Sequence, residues 1–593
     1  MRALLTRRDK WKLVFLLGLM LLGSILEAAG IGAIPAFITL ITKPSVLMEN
    51  RWVGEWFSNL PNEPSVPLML WASCAMFGFI VFKNIFLTAV FYVQVRIVAF
   101  QWVRLGDRMF RAYQTAPYEW YLQRSSSELL RNIQNDTNQI VYGIFMPLLN
   151  LIMALIMAGF IIVVMVLNLS PIASLSLIVT GGGLWAVIRG FQSQLRSIGE
   201  VSRRESKKMI TAIQQGFGAF VDARIIGCEH HLSKIFRDSM ELNAKAQCKR
   251  GTIQKINPYA LETLAILSLL IILLLLIQST DSLETILPII SLLGVALIRL
   301  KQMASQIATA VNTMNAARAF IPSIVNDIHK LNAIATKRRA KSSDGQIINT
   351  FHSLRLVTVT YFYPNTDTPA VRDISLELPR GESIAFVGAT GCGKSTLVNL
   401  ILGLFEPQTG QITVNGTDIY QDIKGWRKHI GYIPQSIYLI DDTIQANVAF
   451  GVPENEANKE HLWRALRSAC LEEFVMAQPN GLNTIVGERG VRLSGGQRQR
   501  VGIARALYQN PKVLVMDEAT SALDNKTEEN VMQAIQNIKQ GRTLIMVAHR
   551  LSTVKNCDRL YFFREGQLLD VGTYDELNRN SVAFQEISMA YSD

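Results

Sequence analysis

Six cysteines, Cys74, Cys228, Cys248, Cys392, Cys470 and Cys557, are scattered along the chain without paired spacing. Their scatter argues against a disulfide framework or a zinc site and suits a reducing cytosol. No cleavable signal peptide is evident. The N-terminus is basic, but the apolar run behind it is too long and lacks a convincing cleavage site. Two of the connections between apolar runs, NLSP and STDSLET, carry no Lys or Arg.

What is present is apolar and basic. The chain has 593 residues, too many for one core, so several domains are expected. Hydrophobic residues make up 49% and the mean hydropathy is +0.22, with the excess in the first half. The net charge is +12. A basic balance suits nucleic acid or an anionic membrane face. Here the charge sits beside the apolar runs, so it is a membrane-proximal feature and no nucleic-acid partner is expected.

Six runs are long enough to cross a bilayer, which takes about 20 mostly apolar residues. They cover residues 13–41, 68–95, 140–167, 172–188, 259–277 and 286–307, all read as helices because unpaired backbone cannot face lipid. Lys and Arg concentrate in the N-terminal segment and in the second-to-third and fourth-to-fifth connections. That bias puts both termini of a multi-pass membrane protein in the cytoplasm. The two basic connections are too long for simple loops and read as spanning helices continuing into the cytoplasm. Residues 1–325 form this membrane half, 326–350 a polar linker, and 351–593 a second domain.

Four charges fall within the spans: Glu27, Lys83, Glu262 and Arg299. A mid-span Lys costs roughly 2.5–3.5 kcal/mol. Some twenty neighbours at about −0.3 to −0.6 kcal/mol each outweigh it. Such charges must face protein or a water-filled cavity. Glu27 and Lys83 can form a structural ion pair; alternatively, Lys83 and Arg299 line a path for an anionic substrate.

The second half alternates β-type runs and helical stretches, an α/β pattern. Residues 388–396 read GATGCGKST, entered by the strand-like ESIAFVG and left by the helical STLVNLILGLF. This fits a phosphate-binding loop in its required strand–loop–helix setting. Gly388, Ala389, Thr390, Gly391, Cys392, Gly393 and Thr396 would wrap the phosphates of ATP. Lys394 brings a point charge to the β- and γ-phosphates, and Ser395 offers a hydroxyl to Mg2+. The apolar strand VLVMDE ends in two acids, Asp517 placed for Mg2+ and Glu518 to polarise the attacking water. LSGGQ supplies Ser494, Gly495, Gly496 and Gln497, with the composition of a helix N-terminus capped by Ser494. A second phosphate-binding end would be idle within one subunit, so it is expected to close over the nucleotide of a second copy.

On these motifs the second half resembles the nucleotide-binding domain of the ATP-binding cassette (ABC) family, and the whole chain resembles a half-size exporter of that family. The resemblance implies a multidomain membrane protein: an all-α six-helix transmembrane domain followed by an α/β P-loop domain. It implies that Gln435 is a Mg2+ ligand and relay, that His549 contacts the γ-phosphate, and that SALD at 521–524 is the D-loop. It implies that Tyr363 stacks on adenine, with Tyr361 as the competing assignment. TIVGERG, at 484–490, resembles a loop found in exporters. Short helices around 112–122 and 215–226 would dock on the ATP domains. The implied assembly is a homodimer working by alternating access.

Three segments, LEAAGIGAIPAF, RSSSELLRNIQND and PQSIYLIDDTI, resemble the lipid-linked oligosaccharide flippases. That subgroup implies a pyrophosphate-linked glycolipid as cargo, with Lys83, Arg96 and Arg299 as its possible partners. Multidrug, lipid or peptide export is the alternative, and an ATP-gated channel or regulatory membrane ATPase a more distant one.

Overall fold

The computed structural model describes residues 7–42, 66–168, 171–279, 283–342, 347–517, 541–547 and 554–590. Two compact units emerge: Met1–Ala116 with Arg124–Asn332, and Pro117–Gln123 with Ala333–Asp593. Arg2, Glu518, His549 and the segment 521–524 lie outside the described residues.

The first unit is helical. It comprises α1 (Arg7–Thr42) and α2 (Val66–Gln114); after α3 (Tyr118–Leu122), which groups with the second unit, come α4 (Ser126–Arg131), α5 (Thr137–Ile140), α6 (Met146–Asn168), α7 (Pro171–Gly218), α8 (Phe220–Ile226), α9 (Glu229–Ser279), α10 (Leu283–Ala317) and the first part of α11 (Ile321–Ser342), whose residues from Ala333 group with the second unit. Residues 326–342, read from their polarity as part of a linker, are thus helical. Among the described residues three helical stretches, Lys10–Ile38, Met69–Gln114 and Ser126–Val163, are long and apolar enough to span a membrane. The other three expected spans fall on α7, α9 and α10.

α2, α7 and α9 are 49, 48 and 51 residues long. At 1.5 Å per residue each reaches about 70 Å, more than twice the apolar thickness of a bilayer. The long basic connections are therefore continuations of spanning helices, joined by short helices: α7 and α9 are linked by α8, and α2 is followed by α3. The spans bury one stripe and leave another bare. Leu16, Met20 and Ile31 of α1 are buried, whereas Trp11, Phe15, Leu22, Trp71, Phe77 and Ile85 are exposed. An exposed apolar face on such helices is one solvated by lipid. Small residues bring helices close. A β-carbon on Gly199 of α7 would lie 2.4 Å from the carbonyl oxygen of Ala316 on α10, so only glycine fits there.

The segment RSSSELLRNIQND builds a buried polar network. Ser125 caps α4 by accepting from the Glu128 amide. Asp327 of α11, 1% exposed, accepts from Tyr113 at 2.8 Å, from Arg124 at 3.0 Å and from Asn132 at 3.3 Å. Buried Asp136 faces Arg131 at 3.5 Å and Arg203 of α7 at 3.6 Å, and accepts from Ser323. These groups tie α2, the α4–α5 segment, α7 and the start of α11 together.

The second unit is α/β. One sheet has the antiparallel order β2-β1-β4-β5, from β1 (Ser353–Tyr361), β2 (Val371–Pro379), β4 (Thr409–Val414) and β5 (Thr417–Asp418). The other has the order β10-β9-β3-β8-β7-β6, from β3 (Ser383–Val387), β6 (Ile430–Ile433), β7 (Val513–Asp517), β8 (Thr543–Val547), β9 (Arg559–Arg564) and β10 (Gln567–Gly572). Within it β9, β3, β8, β7 and β6 pair in parallel. Every residue of β3 and β8 is buried, which is why both read as unbroken apolar runs. Parallel pairing brings the C-terminal ends of β3, β8, β7 and β6 to one edge. The phosphate loop begins directly after β3, Asp517 is the last residue of β7, and Gln435 stands two residues past β6.

Candidate functional site

The loop between β3 and α12 (Lys394–Ile401) is held by backbone that only glycine tolerates. Gly388 has φ +152° and a β-carbon there would meet the Phe563 carbonyl at 2.2 Å; Gly393 has φ +101° and would meet that of Ala370 at 2.4 Å. Ala389, Thr390, Gly391 and Ser395 are exposed, and Cys392 and Thr396 are buried. Lys394, 5% exposed, turns its ammonium onto the loop, donating to the carbonyls of Gly388 at 2.7 Å and Ala389 at 3.0 Å. The exposed Ser395 stands in the first turn of α12 with the amide-rich end of that helix. A cation, a hydroxyl and the amides at the start of α12 thus lie within one short loop, a donor set that suits polyphosphate.

The two tyrosines separate cleanly. Tyr361 is wholly buried, stacked on Phe405 at 4.9 Å, and donates its hydroxyl to Glu119 at 3.0 Å. Burial, and next the Glu119 carboxylate, push its phenol well above the usual tyrosine range. Tyr363 is only half-buried, its ring edge on Phe405 and its hydroxyl 3.0 Å from Thr396 Oγ1. Of the two, Tyr363 is the ring open to a base beside the phosphate loop. Sequence reasoning missed the rest of this cluster: Tyr118 of α3 also stacks on Phe405, at 5.6 Å. A short aromatic helix of YEWYL type is its only trace in the sequence.

Asp517 closes β7, one strand away from Tyr432 on β6. Burial, then the negative charge of Asp517, then Tyr118, push the Tyr432 phenol up to about 12. Gln435, two residues past β6, is exposed. Ser494 caps α17 (Gly495–Tyr508). Four shorter helices intervene: α13 (Ile423–Lys428), α14 (Ile444–Val448), α15 (Lys459–Ser468) and α16 (Glu472–Met476). Ser494 Oγ accepts from the Gln497 amide at 3.2 Å, and Gln497 Oε1 from the Ser494 amide at 2.9 Å. This is a capping box, which explains the glutamine that closes LSGGQ. Gly495 lies exposed at the helix start. The loop 484–490 braces the segment after Gln435: Ile444 donates to Thr484 at 2.9 Å and Val486 to Asp442 at 3.0 Å.

In the first unit, Lys83 is 5% exposed with Nζ 2.8 Å from Glu27, and Arg299 stands 3.0 Å from the other oxygen of the same carboxylate. The Lys83 ammonium is therefore engaged structurally by Glu27, and Arg299, over a third exposed, is the open cation of the trio. Arg96 is thirteen positions further along α2, about 20 Å at 1.5 Å per residue, and does not join them. Glu262 pairs with Lys301.

Comparisons with known proteins agree across both units. The ABC transporter transmembrane region matches residues 18–299 and the ABC transporter family matches residues 371–521. An ATP-dependent lipid A-core flippase of Chromobacterium violaceum is 28% identical over 485 residues, 80% of each chain. A protein of the same name from Saccharophagus degradans is 44% identical over 218 residues, 37% of each chain. The solved structure of a bacterial Atm1-family ABC exporter with ATP bound superposes with a TM-score of 0.81, at 22% identity, over 98% of each chain.

Proposed function

Because this chain is a member of the ABC transporter family, a half-size exporter carrying its own ATPase domain, we propose that two copies form a homodimer in the inner membrane, both termini cytoplasmic, and flip an anionic lipid-linked glycan. ATP-driven export or flipping follows from the family; the cargo and the pairing of identical chains are our reading.

The observation that carries the cargo is the Glu27–Lys83–Arg299 trio. Two cations share one carboxylate, leaving a net positive charge at span depth, with Arg299 open to a ligand. A charge held there is costly unless it is used, and a phosphate or pyrophosphate is its natural counter-ion. The relatives called ATP-dependent lipid A-core flippases support a lipid as cargo. The pairing is supported by α8, whose Phe220, Val221, Ile225 and Ile226 are all exposed within one chain. An apolar tip of that kind fits the cassette of a second copy.

In this reading each ATP lies between the phosphate loop and Tyr363 of one chain and the Ser494–Gln497 helix start of the other. Tyr363 stacks on adenine, Lys394 neutralises the terminal phosphates, Glu518 orients the attacking water, and His549 contacts the γ-phosphate. Ser395, Gln435 and Asp517, an oxygen-donor set, would hold Mg2+, which supplies charge neutralisation at the phosphates. ATP drives the inward-to-outward change only through its tighter binding to the closed pair.

The test is reconstitution into vesicles, comparing ATPase stimulation and flipping for a polyprenyl-pyrophosphate glycan and for hydrophobic drugs. The glycan should stimulate and be flipped, with Arg299→Gln losing both responses. Transport of drugs without any response to the glycan would remove this cargo.

A further inference from the structure

Tyr363 lies two residues past the end of β1, in backbone that is neither strand nor helix. No ladder therefore fixes its ring; side chains do. The ring meets Phe405 edge-on at 5.6 Å and Tyr361 edge-on at 5.4 Å, and its hydroxyl lies 3.0 Å from Thr396 Oγ1. Phe405 and Tyr361 are both buried and stack on each other at 4.9 Å. Each is held in turn from α3, by adjacent residues. Tyr118 stacks on Phe405 at 5.6 Å, and Glu119 accepts from the Tyr361 hydroxyl at 3.0 Å. α3 has five residues, no side-chain cap and no fully buried residue. A helix so short is not stabilised by its own hydrogen bonds. Its Tyr and Glu are directed at the very rings that flank Tyr363.

We propose that α3 positions the base-binding ring: Tyr118, through Phe405, and Glu119, through Tyr361, hold Tyr363 in its stacking orientation before ATP arrives. This role deepens the ATP-site reading above and rests on Tyr363 being the ring that stacks on adenine. A side chain free to turn between rotamers loses that freedom when a ligand stacks on it, whereas one already held loses little. The advantage exists only for a ligand that carries a base. The phosphates are met by Lys394 and the amides of the loop between β3 and α12, which α3 does not build.

The experiment is steady-state ATPase kinetics of the full-length protein in vesicles. It reads the KM for ATP and the Ki of inorganic tripolyphosphate, a polyphosphate without a base. One aromatic pair is worth a factor of about two to twelve. Tyr118→Ala should raise the KM about threefold and leave the Ki unchanged. Tyr118→Phe keeps the ring and should keep the KM. Glu119→Ala should raise the KM in the same way. In a Tyr363→Ala background, Tyr118→Ala should add nothing, because the ring it positions is gone. Should Tyr118→Ala fold poorly, Tyr118→Leu retains apolar bulk without the ring and should show the same rise. An unchanged KM in Tyr118→Leu or Glu119→Ala, a loss in Tyr118→Phe, or an undiminished effect in the Tyr363→Ala background would overturn the proposal. So would a parallel rise in KM and Ki, which would mean that the whole site is disturbed and not the base contact. If Tyr363→Ala alone leaves the KM unaltered, the adenine assignment fails and this role with it. If Tyr363→Ala raises the KM and the Tyr118 variants do not, only the role of α3 fails.

Discussion

Tyr361 and Tyr363 are two residues apart in a strand-end sequence where both are aromatic and either could meet a nucleotide. Alternation within a strand would put both on one face, but β1 ends at Tyr361, so Tyr363 lies past the strand and is released from that pattern. Tyr361 is fully enclosed against Phe405, whereas Tyr363 is open beside Thr396. The consequences of truncation should therefore differ in kind. Tyr363→Ala is expected to raise the KM for ATP at least about fivefold, since stacking on a base is worth about 1–3 kcal/mol, with little change in Tm. Tyr361→Ala should instead cost about 3–5 kcal/mol of stability, as a large buried aromatic removed from a packed core does. Paired thermal melts and ATPase titrations distinguish them; a melting loss in Tyr363→Ala with unchanged KM would reverse the assignment.

At the scale of elements, the segment RSSSELLRNIQND changes meaning once folded. On sequence resemblance it pointed towards glycolipid cargo. In the fold its Arg124, Glu128, Arg131, Asn132 and Asp136 sit in a buried network around Asp327 and Asp136. Those contacts lock the start of α11 to the helices preceding it. Removing Asp327 strips Tyr113 and Asn132 of a buried acceptor and leaves Arg124 to Glu128, at about 1–3 kcal/mol for each buried group that loses its bond. Asp327→Ala should lower the melting temperature of the full-length protein accordingly. A co-introduced Arg124→Ala should restore part of the loss, as measured in a double-mutant cycle. Strict additivity of the two substitutions would show that the pair is not coupled.

For the molecule as a whole, the glycine-led start of α17 is the part that one chain does not use for itself in the proposed cycle. Gly495→Asp puts a negative side chain where phosphate would approach. ATP binding by the phosphate loop should survive, because that loop is built from β3 and α12 and not from α17. Hydrolysis should fall at least about 100-fold, the effect expected when preorganised donors to a phosphate or oxyanion are lost. Fluorescent-nucleotide binding beside a phosphate-release assay makes the comparison. A Gly495→Asp protein that hydrolyses ATP at the normal rate would end the two-chain reading.

Much was legible in linear order because it depends on local physics. Apolar length alone identified spanning helices, since backbone in lipid must satisfy its own hydrogen bonds. The spacing of Gly388, Gly393 and Lys394 announced a phosphate loop, since only glycine adopts those backbone angles or accepts the neighbouring carbonyls at 2.2–2.4 Å. The capping box of Ser494 and Gln497 was likewise written in a four-residue spacing, although only its serine was recognised. What tertiary structure alone decided were the encounters between residues far apart in the chain: Lys83 against Glu27, Asp327 against Arg124, and Tyr118 against Phe405. Lys83 could be assigned to a structural pair or, with less support, to cargo until α1 and α2 were seen side by side. Charge in a low-dielectric interior takes whichever partner packing brings within reach, and no local pattern encodes that choice.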